Sequence, residues 1–286
     1  MTGEQAAGRA AHRRRLRRSG LGFVALVAAA GLAAPAAADA ADRLLSNPPE
    51  LPIERRAPLH RLLGPATALD RPAPGESYLA LDVVYTSGAR IWNPSTRRHD
   101  RVRLRSYNGL FPAPTIRIAP GETARLALTN ALPIDNCVLP EGTHNIPNCF
   151  NTTNMHSHGL WVSPTGNGDN VLLEIPPGVR FEYEHNVPLD HPAGTFWYHP
   201  HRHGSTAIQV GSGMAGALII EAERPPTATA PGDIDTILKA ADGSPLRDRV
   251  VLFEQVQYAC LDQDGNDKTP PGQPGESVHL ALHRAR

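Results

Sequence analysis

In two places this chain sets histidines two positions apart within stretches that otherwise read as strand. These are Asn154-Met-His-Ser-His-Gly159 and Thr195-Phe-Trp-Tyr-His-Pro-His-Arg-His-Gly204. On a strand, residues i and i+2 face the same side with Cα atoms roughly 6.5–7 Å apart. His156 is related in this way to His158, and His199 to His201. The separation is wide for two rings to chelate one ion, and it suits imidazoles that reach two neighbouring ions. Two such pairs constrain the chain to bring two strands together around one multinuclear site. Neutral imidazole selects copper, zinc, iron or nickel over magnesium or calcium, and neither pair contains a carboxylate or cysteine. Surface or hydrogen-bonded histidines are the competing reading; the repetition of the pattern on aromatic, Gly-closed segments weighs against it.

The remaining sequence supplies a strand-rich host. Pro (28) and Gly (25) are abundant, which favours turns and short strands over long helices. Tyr78–Tyr85 is the first convincing strand. In Arg101–Tyr107, Val102, Leu104 and, less cleanly, Ser106 alternate with Arg101, Arg103 and Arg105, which read as a solvated face. Thr115–Ile118 and Thr123–Thr129 flank the turn Ala119-Pro-Gly-Glu122. Asn154–Val162, Phe181–Val187, Gly194–His201 and the apolar Met214–Ile220 complete the set. The expected fold is all-β, an antiparallel sandwich or Greek-key barrel over residues 78–222.

The stretches His156-Ser-His-Gly159 and Trp197-Tyr-His-Pro-His201 resemble the two N-terminal copper motifs of the multicopper oxidases, a family that includes laccases, copper-efflux oxidases and ascorbate oxidase. Asn108-Gly-Leu-Phe-Pro-Ala-Pro-Thr-Ile116 resembles the signature that opens their first cupredoxin domain. The likeness runs from about Tyr78 to Glu221. It implies a cupredoxin-like Greek-key sandwich and a trinuclear copper cluster, with His156 on the type 2 copper and His158, His199 and His201 on the type 3 pair. It also implies O2 and a reducing substrate as partners. Asp169, in Gly166-Asn-Gly-Asp-Asn170, resembles the acidic residue that supplies protons near the cluster; a turn aspartate is the plain alternative. The family's C-terminal patterns, His-Pro-x-His-x-His and His-Cys-His-x-x-x-His, do not occur here, and Cys137, Cys149 and Cys260 are not flanked by histidine. The chain thus carries half of the cluster's histidines and no blue-copper thiolate. A stand-alone copper-binding cupredoxin module without oxidase activity is the alternative. A cupin reading needs a Glu soon after the pair, and the next acidic residue after His201 is Glu221.

Several neighbours carry two readings. His203 shares the face of His199 and His201 if the strand continues, although the resemblance makes it a non-ligand. Trp197 walls the cluster or packs in the core. His144, His185 and His191 read as surface or structural, and Met214 as core.

The ends of the chain point to export. Arg13–Arg18 is a basic region, Leu21–Ala34 an apolar one, and Ala36-Ala-Ala38 or Ala38-Asp-Ala40 fits a cleavage site. Residues 1–40 therefore read as a signal peptide, with Arg17-Arg18 admitting the twin-arginine route. Periplasmic or secreted localisation follows, with no membrane association after cleavage. In an oxidising compartment Cys137 and Cys149 can bridge, unless one of them pairs with Cys260. Lys+Arg and Asp+Glu both number 28, so no basic field argues for nucleic acid. Residues 41–77 read as a Pro-rich extended lead-in and 223–248 as a linker. Arg249–Tyr258 reads as a strong strand that opens an incomplete second cupredoxin-like domain, 249–286, so that the chain looks cut off.

Overall fold

Period-2 burial builds the centre of the fold. In Glu76–Tyr85 (β2), Ser77, Leu79, Leu81 and Val83 are buried and alternate with exposed or half-buried residues. Thr123–Asn130 (β7) and Arg180–Asn186 (β9) follow the same rule. Leu79 and Leu81 lie in parallel register beside Leu126 and Leu128, which in turn sit opposite Tyr183 and Phe181. The sheet is completed by β1 (Glu54–Arg56) and β5 (Arg105–Tyr107), both on β2. A second sheet runs β6 (Ile116–Ile118), β11 (Gly216–Ile220), β10 (Gly194–His199), β8 (His156–His158). Leucines of the first sheet and Ile116, Ile118, Tyr198, Leu218 and Ile220 of the second share one core cluster. The non-sequential strand orders make this a Greek-key sandwich of the cupredoxin kind, all-β as expected.

The computed structural model describes residues 46–56, 75–135, 137–138, 146–246, 248–256, 258–260 and 277–279, all within the unit Leu45–Arg286. The signal-peptide reading of 1–40, and His144, lie outside these residues. Among the described residues no helix is long and apolar enough to cross a membrane.

The expected turn at 119–122 is fixed by Glu122. This buried carboxylate accepts from Ser77 Oγ (2.9 Å), from the Ala119 backbone N–H (3.1 Å) and from Arg55 Nε (3.1 Å), and so ties the turn to β2 and β1. Core and site meet at Tyr198. Its hydroxyl donates to the Pro114 carbonyl (2.6 Å), its ring leans on Tyr107 (5.2 Å between centroids), and a Cβ at Gly216 would collide with it.

Three strand expectations need correction. Arg101–Tyr107 is two strands, not one. β4 (Arg98–Arg103) forms a hairpin with β3 (Ala89–Asn93), and the chain changes sheets at buried Leu104, whose N–H donates to Thr86 Oγ1 at 3.0 Å. That switch turns Arg105 inward, where both its Nε and Nη2 bond Asn151 Oδ1 (3.0 and 2.8 Å), and burial pulls its pKa down; it is no part of a solvated face. The strand bearing the second histidine pair stops at His199, since Pro200 has no N–H to continue the ladder. Arg249–Val256 forms no strand, although its side chains do alternate: Leu252, Glu254 and Val256 are half-buried, and Phe253 is 95% exposed. The period is there, but among the described residues no neighbouring strand supplies backbone partners. Beyond it, β12 (Ala259–Cys260) and β13 (Ser277–His279) extend the β3–β4 sheet in the order β12-β13-β4-β3. Two short helices, α1 (Thr206–Gly211) and α2 (Ile234–Ile237), complete the described elements.

Cys137 and Cys149 are bridged, with Cα atoms 5.2 Å apart across a separation of 12 residues. Replacing both by Ser is expected to lower unfolding free energy by about 3 kcal/mol, from the loop entropy returned to the unfolded chain, as read by urea denaturation. Glu254 gives a pH signature. Its Oε1 is buried without a hydrogen-bond partner, and burial pushes its carboxyl up to about 7. The folded chain then holds more protons than the unfolded one between the ordinary carboxylate range and about pH 7. Stability contributed at this site falls as pH rises through that window. Glu254→Gln should flatten that slope by about 1–2 kcal/mol once solvent screening is allowed for, measured by denaturation at about pH 5 and about pH 8.

Candidate metal centre

The antiparallel pairing of β8 with β10 assembles the centre. Its register sets His156 opposite His199, Ser157 opposite Tyr198, and His158 opposite Trp197. Histidines therefore face one side of the sheet edge, while Ser157 and Tyr198 turn into the interior, where both are buried. The ring centroids of His156 stand 5.4, 5.3 and 5.2 Å from those of His158, His199 and His201. His158 Nδ1 and His199 Nε2 approach to 3.4 Å.

His156 and His199 are each held by a partner of their own. Asp169 receives His156 Nδ1 at 2.9 Å through Oδ2, and the Ser157 backbone N–H at 2.8 Å through Oδ1. With Nδ1–H donated to the carboxylate, the lone pair of His156 lies on Nε2. His199 Nδ1 donates to the Pro200 carbonyl (2.8 Å), which leaves Nε2 as acceptor towards His158. Burial lowers the pKa of His199, opposed by that carbonyl, so the ring is neutral and competent as a ligand. Asn154 is the brace behind both pairs. Its Oδ1 accepts the His201 backbone N–H (2.6 Å), and its amide donates to the Val171 and Leu173 carbonyls (2.9 and 3.0 Å). Trp197 stacks on His199 (4.1 Å, 26°) and on His158 (5.0 Å, 22°), so it walls the cluster and is not core.

The expected residues come together unequally. Ring nitrogens of His156, His158 and His199 lie within 4.8 Å of one another, a spacing that a metal ion can bridge. His201 lies against them by ring contact but outside that set of three, and its Nδ1 is buried with no hydrogen-bond partner. Closely facing imidazoles and an orphaned ring nitrogen fit copper, whose donor preference they match. His203, past the end of the strand, is exposed with its ring 6.0 Å from that of His201. His185 and His191 are buried. His191 is fully engaged, its Nδ1 with the Pro192 carbonyl (2.9 Å) and its Nε2 with the Trp161 N–H (3.2 Å). Met214 is core. Asn154 and the buried Arg202, which grips Asn148 and Glu174, are positioning residues that sequence reasoning missed. The one available signal was their adjacency to the histidine pairs.

A sandwich that carries imidazoles on one strand edge defines a metal-binding cupredoxin domain. Residues 91–225 match the family model described as multicopper oxidase. The chain is 33% identical over 123 residues to "Iron transport multicopper oxidase FET3" of Candida albicans, covering 42% of this chain and 16% of that protein. It is 31% identical over 117 residues to "Laccase-4" of Thanatephorus cucumeris, covering 40% and 19%. A crystal structure of a laccase from Pediococcus acidilactici aligns with 62% of this chain and 29% of that one, at 21% identity and a TM-score of 0.43. Over residues 91–225 this chain is similar to the multicopper oxidases, a family of copper proteins. The chain spans about a fifth or less of the length of those two relatives.

Asp169→Ala should release His156 and weaken copper(II) binding about 10- to 100-fold by isothermal titration, with the far-UV spectrum unchanged. Asp169→Asn should fall between that variant and the parent, since an amide oxygen can still accept from Nδ1.

Proposed function

We propose that the chain is the copper-binding N-terminal portion of an exported, O2-reducing, laccase-like multicopper oxidase. His156 would serve the type 2 copper and His158, His199 and His201 the type 3 pair of a trinuclear cluster. The observation that carries this reading is the register that brings His156, His158 and His199 together, with His201 in ring contact just past the strand. Copper bound there supplies one-electron transfers and the reduction of O2 to water. The chain's own residues orient and protect. Asp169 aims His156 and would be the acidic residue beside the cluster that relays protons, Pro200 aims His199, and Trp197 covers the ring faces. His158 lies exposed, on the side from which the histidines missing from this chain would enter. Export is supported by the basic and apolar N-terminal regions and by the Cys137–Cys149 bridge.

Because no His-Cys-His relay occurs in these residues, the isolated chain should bind copper weakly, show no intense blue band and oxidise neither phenols nor Cu(I). Copper titration with paramagnetic resonance detection is the test. His158→Ala combined with His199→Ala should weaken binding at least about tenfold, whereas His203→Ala should leave it unchanged. Robust oxidase activity of the isolated chain would overturn the reading. Tight, saturable copper binding without any oxidase partner would favour the stand-alone module.

A further inference from the structure

The β3–β4 hairpin differs from the rest of the surface in how its charges are arranged. Its outward face carries Arg90 and Trp92 on β3 and His99, Arg101 and Arg103 on β4, with Arg97 and Arg98 at the turn, all exposed. Register sets Arg90 directly opposite Arg101 and Trp92 opposite His99. Two like charges facing across a strand pair are destabilising unless something neutralises them. Elsewhere arginines do find carboxylates: Arg55 with Glu122, Arg125 with Glu76 and Glu184, Arg180 with Glu182, Arg224 with Asp233. No described carboxylate pairs with the hairpin's arginines. Its acid, Asp100, turns the other way to Asn93 Nδ2 (2.8 Å) and Tyr258 Oη (2.9 Å). In a chain of zero net charge, this ribbon gathers cations with no counter-ion among the described residues.

The geometry points to a docking strip for a linear acidic polysaccharide, read through its carboxylate or sulfate groups by Arg90, Arg101 and Arg103, with one sugar ring on Trp92. Guanidinium forks match carboxylate and sulfate oxygens in pairs, and every cation on the strip is Arg, not Lys. Strands of this length give a strip of roughly 17–20 Å, enough for a few sugar units. Trp92 is 52% exposed and meets His99 edge-on (5.2 Å, 65°), which leaves indole surface for a pyranose face. Single-stranded nucleic acid fits less well, because it needs successive free aromatic faces. The neighbouring ring, Tyr85, is already capped by the Arg103 guanidinium at 3.9 Å. An anionic membrane fits less well too, since Trp92 is the one large apolar side chain exposed on the hairpin and the turn Asn93–Arg98 is polar.

The test uses the full chain at low salt with oligogalacturonate (carboxylate), dextran sulfate (sulfate), neutral dextran, oligo-dT and phosphatidylglycerol vesicles. Binding to oligogalacturonate, dextran sulfate or both, with none to neutral dextran, is expected; which of the first two binds assigns the anion source. Arg90→Glu with Arg101→Glu should lose at least about tenfold in affinity, Trp92→Ala a few-fold, and Arg180→Gln nothing. The log–log salt slope should be about −2 to −4 for three to five neutralised charges. Protection of Arg90 and Arg101 from phenylglyoxal by the polymer, mapped on the unmutated chain, reads the site even if the double variant fails to fold. Unprotected arginines, unchanged affinity in a folded double variant, binding confined to oligo-dT or vesicles, or no binding at all would each overturn the proposal.

Discussion

The pairing of a three-residue strand, His156–His158, with His199 and its two predecessors is the interaction on which the candidate centre depends. Side chains directly opposite on antiparallel strands lie about 5 Å apart at Cβ. The His156–His199 pairing therefore brings two rings close before any metal arrives. A slip of β8 by one residue would turn Ser157 outward and send His156 and His158 to the interior face. So short a strand cannot hold its own register by backbone bonds alone. Asp169, through its bonds to His156 and to the Ser157 N–H, and Asn154, through the His201 N–H, pin it from both ends.

Buried polar groups brace the loops around that edge. Asn130 donates to the carbonyls of Asn151 and Ile175, at 2.7 and 2.8 Å. Gln209 of α1 donates to the carbonyls of Phe150 and Thr152 and accepts from Thr153 Oγ1. Arg202, 1% exposed, joins Asn148 to Glu174. In a low-dielectric interior the bonds made by Asn130 and Gln209 hold rigidly, because breaking one leaves an unpaired buried group. The loop of 146–155 is thus fixed to β7, to α1 and to the stretch after β10. The histidines emerge from a frame whose geometry does not depend on them.

Much of this was legible in the sequence, for reasons that can be named. Strands β2, β7 and β9 each have one buried face, so period-2 alternation marked them. The histidine pairs were legible because a two-residue spacing on a strand has one geometric meaning. What stayed hidden depends on partners that a linear pattern cannot specify. Arg105 alternates in step with Arg101 and Arg103, and only the change of sheet at Leu104 buries it against Asn151. Arg249–Val256 alternates as a strand does yet has no neighbour to pair with among the described residues. Asp169 lies in a Gly-Asn turn, where an aspartate needs no function, and its role as an acceptor for His156 is visible only when the two meet in space. Helix α1 is a single short element in the stretch left between the strands read at Gly194–His201 and Met214–Ile220.

Tyr198 lies between the two histidines' neighbours and the hydrophobic interior, one residue from His199, with Gly216 cleared to admit its ring and Pro114 receiving its hydroxyl. The strand that presents the ligands is therefore also a strand of the core. Any change that repacks the interior around Tyr198 tilts β10 as a body and carries the His199 imidazole with it. Metal affinity then becomes a gauge of interior order. A variant altered only in the core, at Gly216 or Leu218, would announce its misfit first as a poorly formed metal site, before any loss of secondary structure.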